Sequence, residues 1–410
     1  MRTSFYSSEY SIDKTINEYL VLNVIRETGP LSITDIVRRT KLSRPTVETF
    51  LNHLLNIDFI VKDGYGQSKG GRKPTLWKLN KDVCYFIGVD IEPPLINVVL
   101  TDLELNIINF LTREFQTTAN KEVITQRIIE TIHDVINASE VEHKKIIGIG
   151  IGIPGVIDLQ KGISLFIEGV PNWNNVPIKS IIHNEFDLPV FIENVVVNMA
   201  IAERTFNEEL KNINNMIYIG PGTGVGAAIF INGKPYDGVT GNAGHLGQLP
   251  VGKKSPLNSE NGISFLQLLS DKYAIMNKVQ EENKELRSAE GIKEKISNKD
   301  LHDITTVLQE ANEGNETIRN VLKEIADYYA YGIATLVNLL DIPTIVIGGI
   351  IANLDQYFLD WVSDICINKY CHQYRKSIDL RFGRIIDKVA PLGGAVLVYQ
   401  DMFKEPEINL

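Results

Sequence analysis

The chain has 410 residues, of which 44% are hydrophobic and 22% are charged, proportions typical of globular proteins. At roughly 150 residues per domain, this length predicts two or three domains. No apolar run approaches the roughly 20 residues that a membrane-spanning helix needs, which excludes an integral helical membrane protein. The N-terminal residues are partly acidic and lack the apolar stretch of a signal peptide, so we expect a cytoplasmic protein without a membrane partner.

The charge is unevenly distributed along the chain. The net charge is −10, yet residues 1–80 contain 12 basic and 8 acidic side chains, a net of +4, and the remainder carries −14. A basic segment can approach the phosphates of a nucleic acid, whereas an acidic body avoids them. The three cysteines, Cys84, Cys366 and Cys371, fit neither a C-x-x-C motif nor a disulfide framework, so we expect reduced thiols.

The first 80 residues contain three predicted helices. Apolar residues recur at helical spacing over 13–28, and Gly29-Pro30 ends that helix. Ser32 followed by Asp35 is typical of a capping box, which opens a second, short helix through Thr40.

A third helix begins after Ser43, has Pro45 in its first turn and extends to about Asn56. Strands at 59–61 and 76–79 flank a Gly-rich loop. After a tail of residues 1–12, residues 13–80 are therefore predicted to form a winged helix-turn-helix, an α+β DNA-binding domain.

The third helix is the predicted recognition helix, whose N-terminal end enters the major groove of double-stranded DNA. An arginine there can contact either a guanine edge or a phosphate, and short hydroxyls can contact the backbone; the sequence leaves these open. The candidate contacts on this helix are Ser43, Arg44, Pro45, Thr46, Thr49 and His53.

The loop between the two strands is the predicted wing. Its residues Lys69, Gly70, Gly71, Arg72 and Lys73 place three cations on a flexible tip, which suits the negative potential of a minor groove. The alternative is a solvated basic hairpin that contacts nothing.

Residues 84–410 alternate between strands and helices and are predicted to form an α/β body. The repeated order of strands followed by crossover helices indicates two similar lobes with a cleft between them. The predicted strands cover 84–91, 95–102, 107–110, 146–153, 216–219, 226–231 and 344–347, and the predicted helices cover about 121–139, 318–340 and Gly394 onward.

Several Gly-rich motifs in this body resemble those of one family. They stand in order at 149–155, 192–194, 220–226, 241–247 and 347–349. They resemble the successive motifs of the ROK family, which contains repressors, open reading frames and sugar kinases. The Gly-Gly-Arg-Lys-Pro wing resembles that of the family's repressors, such as those for xylose and N-acetylglucosamine. The resemblance implies a sugar-kinase-like body of the actin-like ATPase fold, a homodimer or higher oligomer, operator DNA as partner and a sugar or sugar derivative as effector.

The positions that carry catalysis in the family's kinases are altered. The kinases have an aspartate base after the Glu-Asn pair, and here that position is Val195, which accepts no proton. Their first phosphate loop, Asp-x-Gly-Gly-Thr, is here Asp90-Ile91-Glu92-Pro93-Pro94, in which an anion and two prolines are unsuited to phosphate. Residues 222–224 fit either a second phosphate loop or a tight turn. We expect no catalytic residue, no ATP cofactor and no enzyme activity.

The family's zinc site is also absent from the sequence. The motif that supplies its histidine is here 244–248, and residues 252–265 contain no cysteine, so we expect no metal. Phe265 stands where the family closes this cluster with a glutamate. Polar groups that could still bind a polyol, with one glycine for close approach and one stacking ring, are the predicted ligand site: Gly155, Asn172, Trp173, Glu193, Asn194, His245 and Gln248.

The leading hypothesis is a repressor of carbohydrate-utilisation genes whose effector closes the cleft between the lobes. One alternative is a regulator whose body binds no sugar and serves for dimerisation or for docking another protein. The other is an active ATP-dependent sugar kinase with a DNA-binding appendage, which Val195 and Pro93-Pro94 disfavour.

Overall fold

The computed structural model describes residues 12–67, 73–221, 224–251, 266, 270–290, 304–371, 377–385 and 387–404. We call residues 12–80 the head and residues 84–404 the body. No helix in the described ranges is both long and apolar enough to cross a membrane.

The head is a winged helix-turn-helix, as the sequence predicts. Its three strands form one antiparallel sheet in the order β1-β3-β2, and apolar residues from all three helices pack into one cluster with it. The elements are α1 (Ile12–Thr28), β1 (Leu31–Ser32), α2 (Ile33–Thr40), α3 (Arg44–Asn56), β2 (Ile60–Tyr65) and β3 (Thr75–Leu79).

The predicted capping box opens α2. The Ser32 hydroxyl accepts a hydrogen bond from the Asp35 backbone N–H at 3.2 Å and donates one to the Asp35 carboxylate at 2.6 Å. These bonds hold the pKa of Asp35 below its ordinary value, because they favour the ionised carboxylate. Lys41, in the left-handed conformation, ends the helix. The start and the end of α2 are thus set by local chemistry.

The first lobe is a five-stranded sheet in the order β11-β7-β4-β5-β6, in which β11, β7 and β4 are parallel. Strands β8 to β10 form a small antiparallel sheet beside it. Its elements are β4 (Tyr85–Glu92), β5 (Leu95–Asp102), β6 (Ile107–Glu114), α4 (Lys121–Asn137), β7 (Ile146–Ile153), β8 (Val156–Asp158), β9 (Ile163–Phe166), β10 (Asn174–Val176), α5 (Ile178–Phe186) and β11 (Val190–Asn194).

The second lobe has a five-stranded sheet in the order β14-β13-β12-β15-β16. The described elements from residue 195 onward are α6 (Val195–Phe206), β12 (Met216–Pro221), β13 (Val225–Ile231), β14 (Lys234–Pro235), α7 (Lys272–Glu290), α8 (Ile304–Asn312), α9 (Glu316–Leu340), β15 (Thr344–Ile347), α10 (Gln356–Ile365), β16 (Asp379–Phe382) and α11 (Val389–Met402). Helix α11 packs on the sheet of the first lobe, and α6 packs on β12, β13 and α11, so α6 lies between the lobes.

Helix α11 begins five residues before the predicted start at Gly394. Pro391 lies in its first turn, where no helical N–H is lost. Glycines on β4 and β7 allow close backbone packing, because a Cβ on Gly88 would lie 1.8 Å from the Pro391 carbonyl oxygen, and one on Gly150 would lie 1.9 Å from that of Gly394. The helix is therefore seated directly on β4 and β7.

The head contacts the body through the C-terminal end of α11. The Arg26 guanidinium of α1 lies 4.7 Å from the centroid of the Phe403 ring and 5.8 Å from that of Tyr399. The Tyr399 ring meets Phe86 of β4 edge to face at 5.8 Å. A continuous row of aromatic contacts thus joins the first helix of the head to the central strand of the first lobe.

Candidate nucleic-acid interface and effector cleft

The N-terminal end of α3 is organised by its own side chains. The Ser43 hydroxyl accepts from the Thr46 backbone N–H at 3.3 Å and lies 2.7 Å from the Thr46 hydroxyl. Pro45 occupies the first turn. The helix N-terminus consequently has an ordered start with its positive dipole end exposed, which is a favourable arrangement for a phosphate.

One face of α3 is buried and the opposite face is exposed. Val47, Phe50, Leu51 and Leu54 pack into the head, whereas Ser43, Arg44, Pro45 and Thr49 are exposed and Thr46 is half-buried. The Arg44 Nε lies 2.8 Å from the Glu48 carboxylate, in a pair whose side chains are 65% and 42% exposed. Such a pair contributes at most about 1 kcal/mol, so Arg44 can leave it at little cost.

His53 is placed differently from the other predicted contacts. Its Nδ1 is hydrogen-bonded to the Glu18 carboxylate of α1, which is buried. The side chain therefore packs toward α1 rather than along the exposed face, because the Glu18 carboxylate needs a partner when it is buried. The exposed face carries instead Asn52, which the sequence analysis missed; its spacing of three from Thr49 and seven from Pro45 would have indicated it.

The wing is described only in part. The predicted contacts Lys69, Gly70, Gly71 and Arg72 lie outside the described residues, and Lys73 is exposed. The Gly66 N–H donates to the Pro74 carbonyl at 2.9 Å. This bond joins the two arms of the hairpin beside the described Lys73.

Three predicted ligand residues come together at the carboxyl ends of the parallel strands β7 and β11. Asn194 caps α6 through Val196 N–H at 3.0 Å and has its amide nitrogen 3.5 Å from the Gly155 carbonyl oxygen. Gly155 has a φ of +80°, and a Cβ there would lie 2.2 Å from the Phe166 carbonyl oxygen. Ligands of open α/β sheets bind at this edge, and Glu193 precedes Asn194 on the same strand.

The electrostatics of this edge are dominated by carboxylates. Burial raises the pKa of Glu193 to about 7, and the nearby Asp237 contributes to the increase. Desolvation also raises the pKa of Asp237 itself. Asp237 follows β14 in the second lobe and was missed by the sequence analysis, since only the folded loop brings it near Glu193. Its position just before the Gly-rich segment 238–244 was the available signal.

The second lobe supplies the remaining predicted ligand residues. His245 and Gln248 are exposed at the two ends of a short 3-10 turn. Neighbouring protein atoms partly desolvate the His245 ring, which lowers its pKa and favours its neutral form. The Asn242 side chain joins this loop to the first lobe, because it accepts from the Ile157 N–H at 2.9 Å and donates to the Ile157 carbonyl at 3.0 Å. We call Gly155, Glu193, Asn194 and Asp237 the cleft cluster.

Two further predicted ligand residues, both in the first lobe, make other contacts. The expected stacking role of Trp173 is wrong, because the ring is fully buried and its Nε1 donates to the Ser164 hydroxyl at 2.8 Å. The large apolar area of the indole makes core packing the more favourable arrangement. The Asn172 amide donates to the Thr118 carbonyl at 2.8 Å, so it fastens a loop near α4 instead of facing a ligand.

The altered phosphate loop contains an ion pair between the lobes. The Lys272 Nζ, at the start of α7, lies 2.9 Å from the Glu92 carboxylate. Asp90 is buried beneath, and burial together with Glu92 raises its pKa to about 7. The Glu92 carboxylate thus lies where a nucleotide phosphate would need hydrogen-bond donors. Val195 opens α6 next to Asn194 and offers no polar atom.

The other family positions are only partly described. Gly222, Thr223 and all of 252–265, including Phe265, lie outside the described residues. Within the described ranges, no group of three histidine, cysteine or acidic side chains could hold a metal ion.

Comparison with known proteins agrees with this architecture. The model of the ROK family matches residues 86–401. The chain belongs to the ROK family. A model of the IclR helix-turn-helix domain matches residues 20–64 of the head, which include α2 and α3.

Similar proteins include both repressors and kinases. A xylose repressor of Caldicellulosiruptor bescii is 29% identical over 97% of this chain and 99% of its own length, and one of Bacillus spizizenii is 31% identical over 82% of each. The fold resembles a ROK transcriptional regulator, a homologue of E. coli MLC, with a TM-score of 0.76, 21% identity and coverage of 95% and 97%. A ROK glucokinase of Streptomyces griseus has a TM-score of 0.66 at 21% identity and covers 77% of this chain and 99% of its own.

Proposed function

We propose that this protein is a DNA-binding transcriptional repressor of carbohydrate-utilisation genes, controlled by a sugar or sugar derivative that binds between the lobes of its body. The observation that carries the proposal is the joint presence of an exposed recognition helix and a ROK body. The similarity to xylose repressors extends over both parts and over 97% of the chain. Its site of action is the bacterial cytoplasm, where the operator DNA lies.

DNA recognition rests on the exposed face of α3. Arg44 is free to exchange its surface ion pair for a guanine edge or a phosphate. Thr46 and Thr49 supply short hydroxyls, and Asn52 supplies an amide of the type that pairs with adenine. The wing cations Lys69, Arg72 and Lys73 would enter the minor groove. A homodimer would present two such heads to a two-fold related operator.

Effector binding rests on the cleft cluster. Glu193, Asn194 and Asp237 provide acceptors and one amide donor, which pair with the hydroxyls of a polyol. Because the cluster has members on both lobes, a ligand that contacts all of them prefers one lobe angle over another. That difference in affinity is sufficient to couple ligand binding to the DNA-binding state.

The same structure argues against phosphoryl transfer, although glucokinases are among the relatives. Val195 cannot accept the proton of an attacking hydroxyl, and Glu92 places a negative charge at the first phosphate loop. We therefore propose that the body is a sensor and not an enzyme. It uses no metal or nucleotide cofactor.

The proposal is tested by binding the protein to its own promoter DNA. We expect duplex fragments to shift in a gel at low salt and xylose or a related sugar to change their affinity. Loss of affinity for fragments whose two-fold repeat is scrambled is the specificity control. Absence of any DNA shift would contradict the repressor. A shift that no sugar, sugar phosphate or polyol alters would favour a body used only for dimerisation or docking, and ADP release from ATP with any of these sugars would favour the kinase.

A further inference from the structure

Two of the three cysteines meet at the end of α10. Cys366 begins a π-helical turn, Cys366–Tyr370, that follows this helix, and Cys371 is the next residue. Their sulfur atoms lie 3.3 Å apart, and the Cys371 N–H donates to the Cys366 carbonyl at 2.7 Å. In a regular α-helix, residues five apart would point roughly 140° away from each other. The wide turn removes this divergence, which explains why the spacing alone did not reveal the pair.

The turn is held in place by contacts with α9. The Lys369 Nζ lies 2.9 Å from the Asp327 carboxylate, and the Tyr370 hydroxyl donates to the same carboxylate at 3.0 Å. The Asn338 amide donates to the Tyr370 carbonyl at 3.1 Å. Three contacts on the residues between the cysteines therefore fix the backbone that brings the two sulfur atoms together.

We propose that Cys366 and Cys371 form a redox-active dithiol, which a peroxide oxidises to an intramolecular disulfide and a dithiol reductant restores. The sulfur atoms must approach from 3.3 Å to a bond length of about 2.05 Å. Cys366 is buried and Cys371 is half-exposed, so a peroxide meets Cys371 first and Cys366 is placed to resolve the product.

The reaction balances with one peroxide. The Cys371 thiolate attacks a peroxide oxygen, the O–O bond breaks, and after proton transfer a sulfenic acid and one water result. The Cys366 sulfur then attacks the Cys371 sulfur, the S–S bond forms, and the hydroxyl leaves as a second water with the Cys366 proton. The two thiols together lose two electrons and the peroxide gains them.

Cys84 is an internal control within the same chain. It directly precedes β4 and is buried, and its sulfur lies 3.9 Å from that of Met402. Burial raises the pKa of its thiol to about 12, so the nucleophilic thiolate is scarce there. We expect Cys84 to stay reduced under conditions that oxidise the pair.

The test is alkylation of the full-length protein after treatment with an equimolar amount of hydrogen peroxide. All three cysteines are expected to take up iodoacetamide after reduction and denaturation. After oxidation, only Cys84 is expected to react, with a loss of about 2 Da for the two hydrogen atoms removed, and dithiothreitol should restore all three. The Cys84→Ser variant should still lose two reactive thiols, whereas Cys366→Ser and Cys371→Ser should lose the 2 Da shift.

Three results would overturn the proposal. They are unchanged alkylation of all three cysteines, a disulfide-linked dimer on a non-reducing gel, and conversion of Cys371 to a sulfinic acid with Cys366 still reactive. Thermal denaturation checks the folding of each variant. Should Cys366→Ser at the buried position fail to fold, Cys371→Ser at the half-exposed position carries the test, and peptide mapping of the wild-type protein locates the bond directly.

Discussion

The head and the body place their functional side chains by different means. On α3, the exposed residues Pro45, Thr49 and Asn52 share one face because of helical periodicity, and the cap at Ser43 fixes where that period begins. In the body, Glu193 and Asp237 meet only after two lobes have folded and approached each other. The first arrangement is local in sequence and the second is not. Recognition of DNA should therefore be separable by mutation from recognition of the effector.

The largest expected effect is on the head. Arg44→Ala should weaken binding to operator DNA about 5- to 150-fold, the loss of about 1–3 kcal/mol expected for a bidentate base contact. The matched control is Arg127→Ala, because Arg127 on α4 also pairs with a nearby glutamate, Glu130, on an exposed helix. Fluorescence anisotropy with a labelled operator measures both. Equal losses in the two variants would mean that Arg44 acts only through net charge.

The next effect is on the body. Glu193→Ala should lower affinity for the effector about 10-fold or more, since a hydrogen bond to a charged or buried carboxyl contributes about 1.5–3 kcal/mol. Operator affinity without effector should not change. Glu185→Ala, an exposed glutamate of the same lobe that pairs with His133, is the control. Calorimetric titration measures the affinity, and a simultaneous loss of DNA binding would show that the two regions are not separable.

The two regions should also differ in their response to pH. Buried carboxyls of the body have raised pKa values, about 7 for Asp90 and Glu193 and about 6 for Asp271. Below pH 7 the folded state retains protons that the unfolded state has lost, so the free energy of unfolding should fall as the pH rises from about 4.5 to 7.

Glu193→Gln should reduce this slope, because glutamine neither loses a proton nor gives up the acceptor that Asn194 uses. Asp35 of the head has a lowered pKa, so its contribution is lost only in more acidic solution. Asp35→Asn is therefore a control that should leave the slope between pH 5 and 8 unchanged. Thermal melts across this range measure the slope, and an unchanged slope in Glu193→Gln would mean that this carboxyl is ionised in the folded protein.

The smallest expected effect concerns the contact between the lobes. Lys272→Met should change effector affinity by no more than about fivefold, since a partly exposed ion pair contributes at most about 1 kcal/mol. Effector affinity should depend on the salt concentration in the wild-type protein and not in the variant, because the variant lacks the ion pair that salt screens. Lys211→Met, which breaks a surface pair with Glu208, is the control. A change in effector affinity of equal size in both variants would show that the Glu92–Lys272 contact between the lobes does not influence effector binding.

The parts of the molecule that the sequence predicted well are those with short-range chemistry. Ser32 with Asp35, and Ser43 with Pro45, located α2 and α3, and alternation of strands and helices indicated the two-lobed body. The family motifs identified Gly155, Glu193 and Asn194 as candidate ligand residues, and all three lie at one edge of the sheet in the structure.

The contacts that the sequence did not predict depend on tertiary packing. Trp173 has the chemistry of a stacking platform, but only the folded structure shows that its ring is covered. His53 lies in the recognition helix, yet its ring is hydrogen-bonded to the Glu18 carboxylate, 35 positions earlier in the chain. The predicted start of α11 at Gly394 was five residues too late, because the first turn of this helix is defined by its packing on Gly88 of β4, which the local sequence does not show.

The contact between the head and the end of α11 forms late during synthesis of the chain. The head is synthesised first, and its helices can form as soon as they emerge, because domains generally fold as units from the N-terminus. The aromatic rings against which Arg26 packs, Tyr399 and Phe403, lie at the C-terminal end of α11, which is synthesised after the lobes of the body that precede it. A chain that has not reached α11 can thus have a complete DNA-reading helix but no support for it. Synthesis of α11 joins that helix to the body.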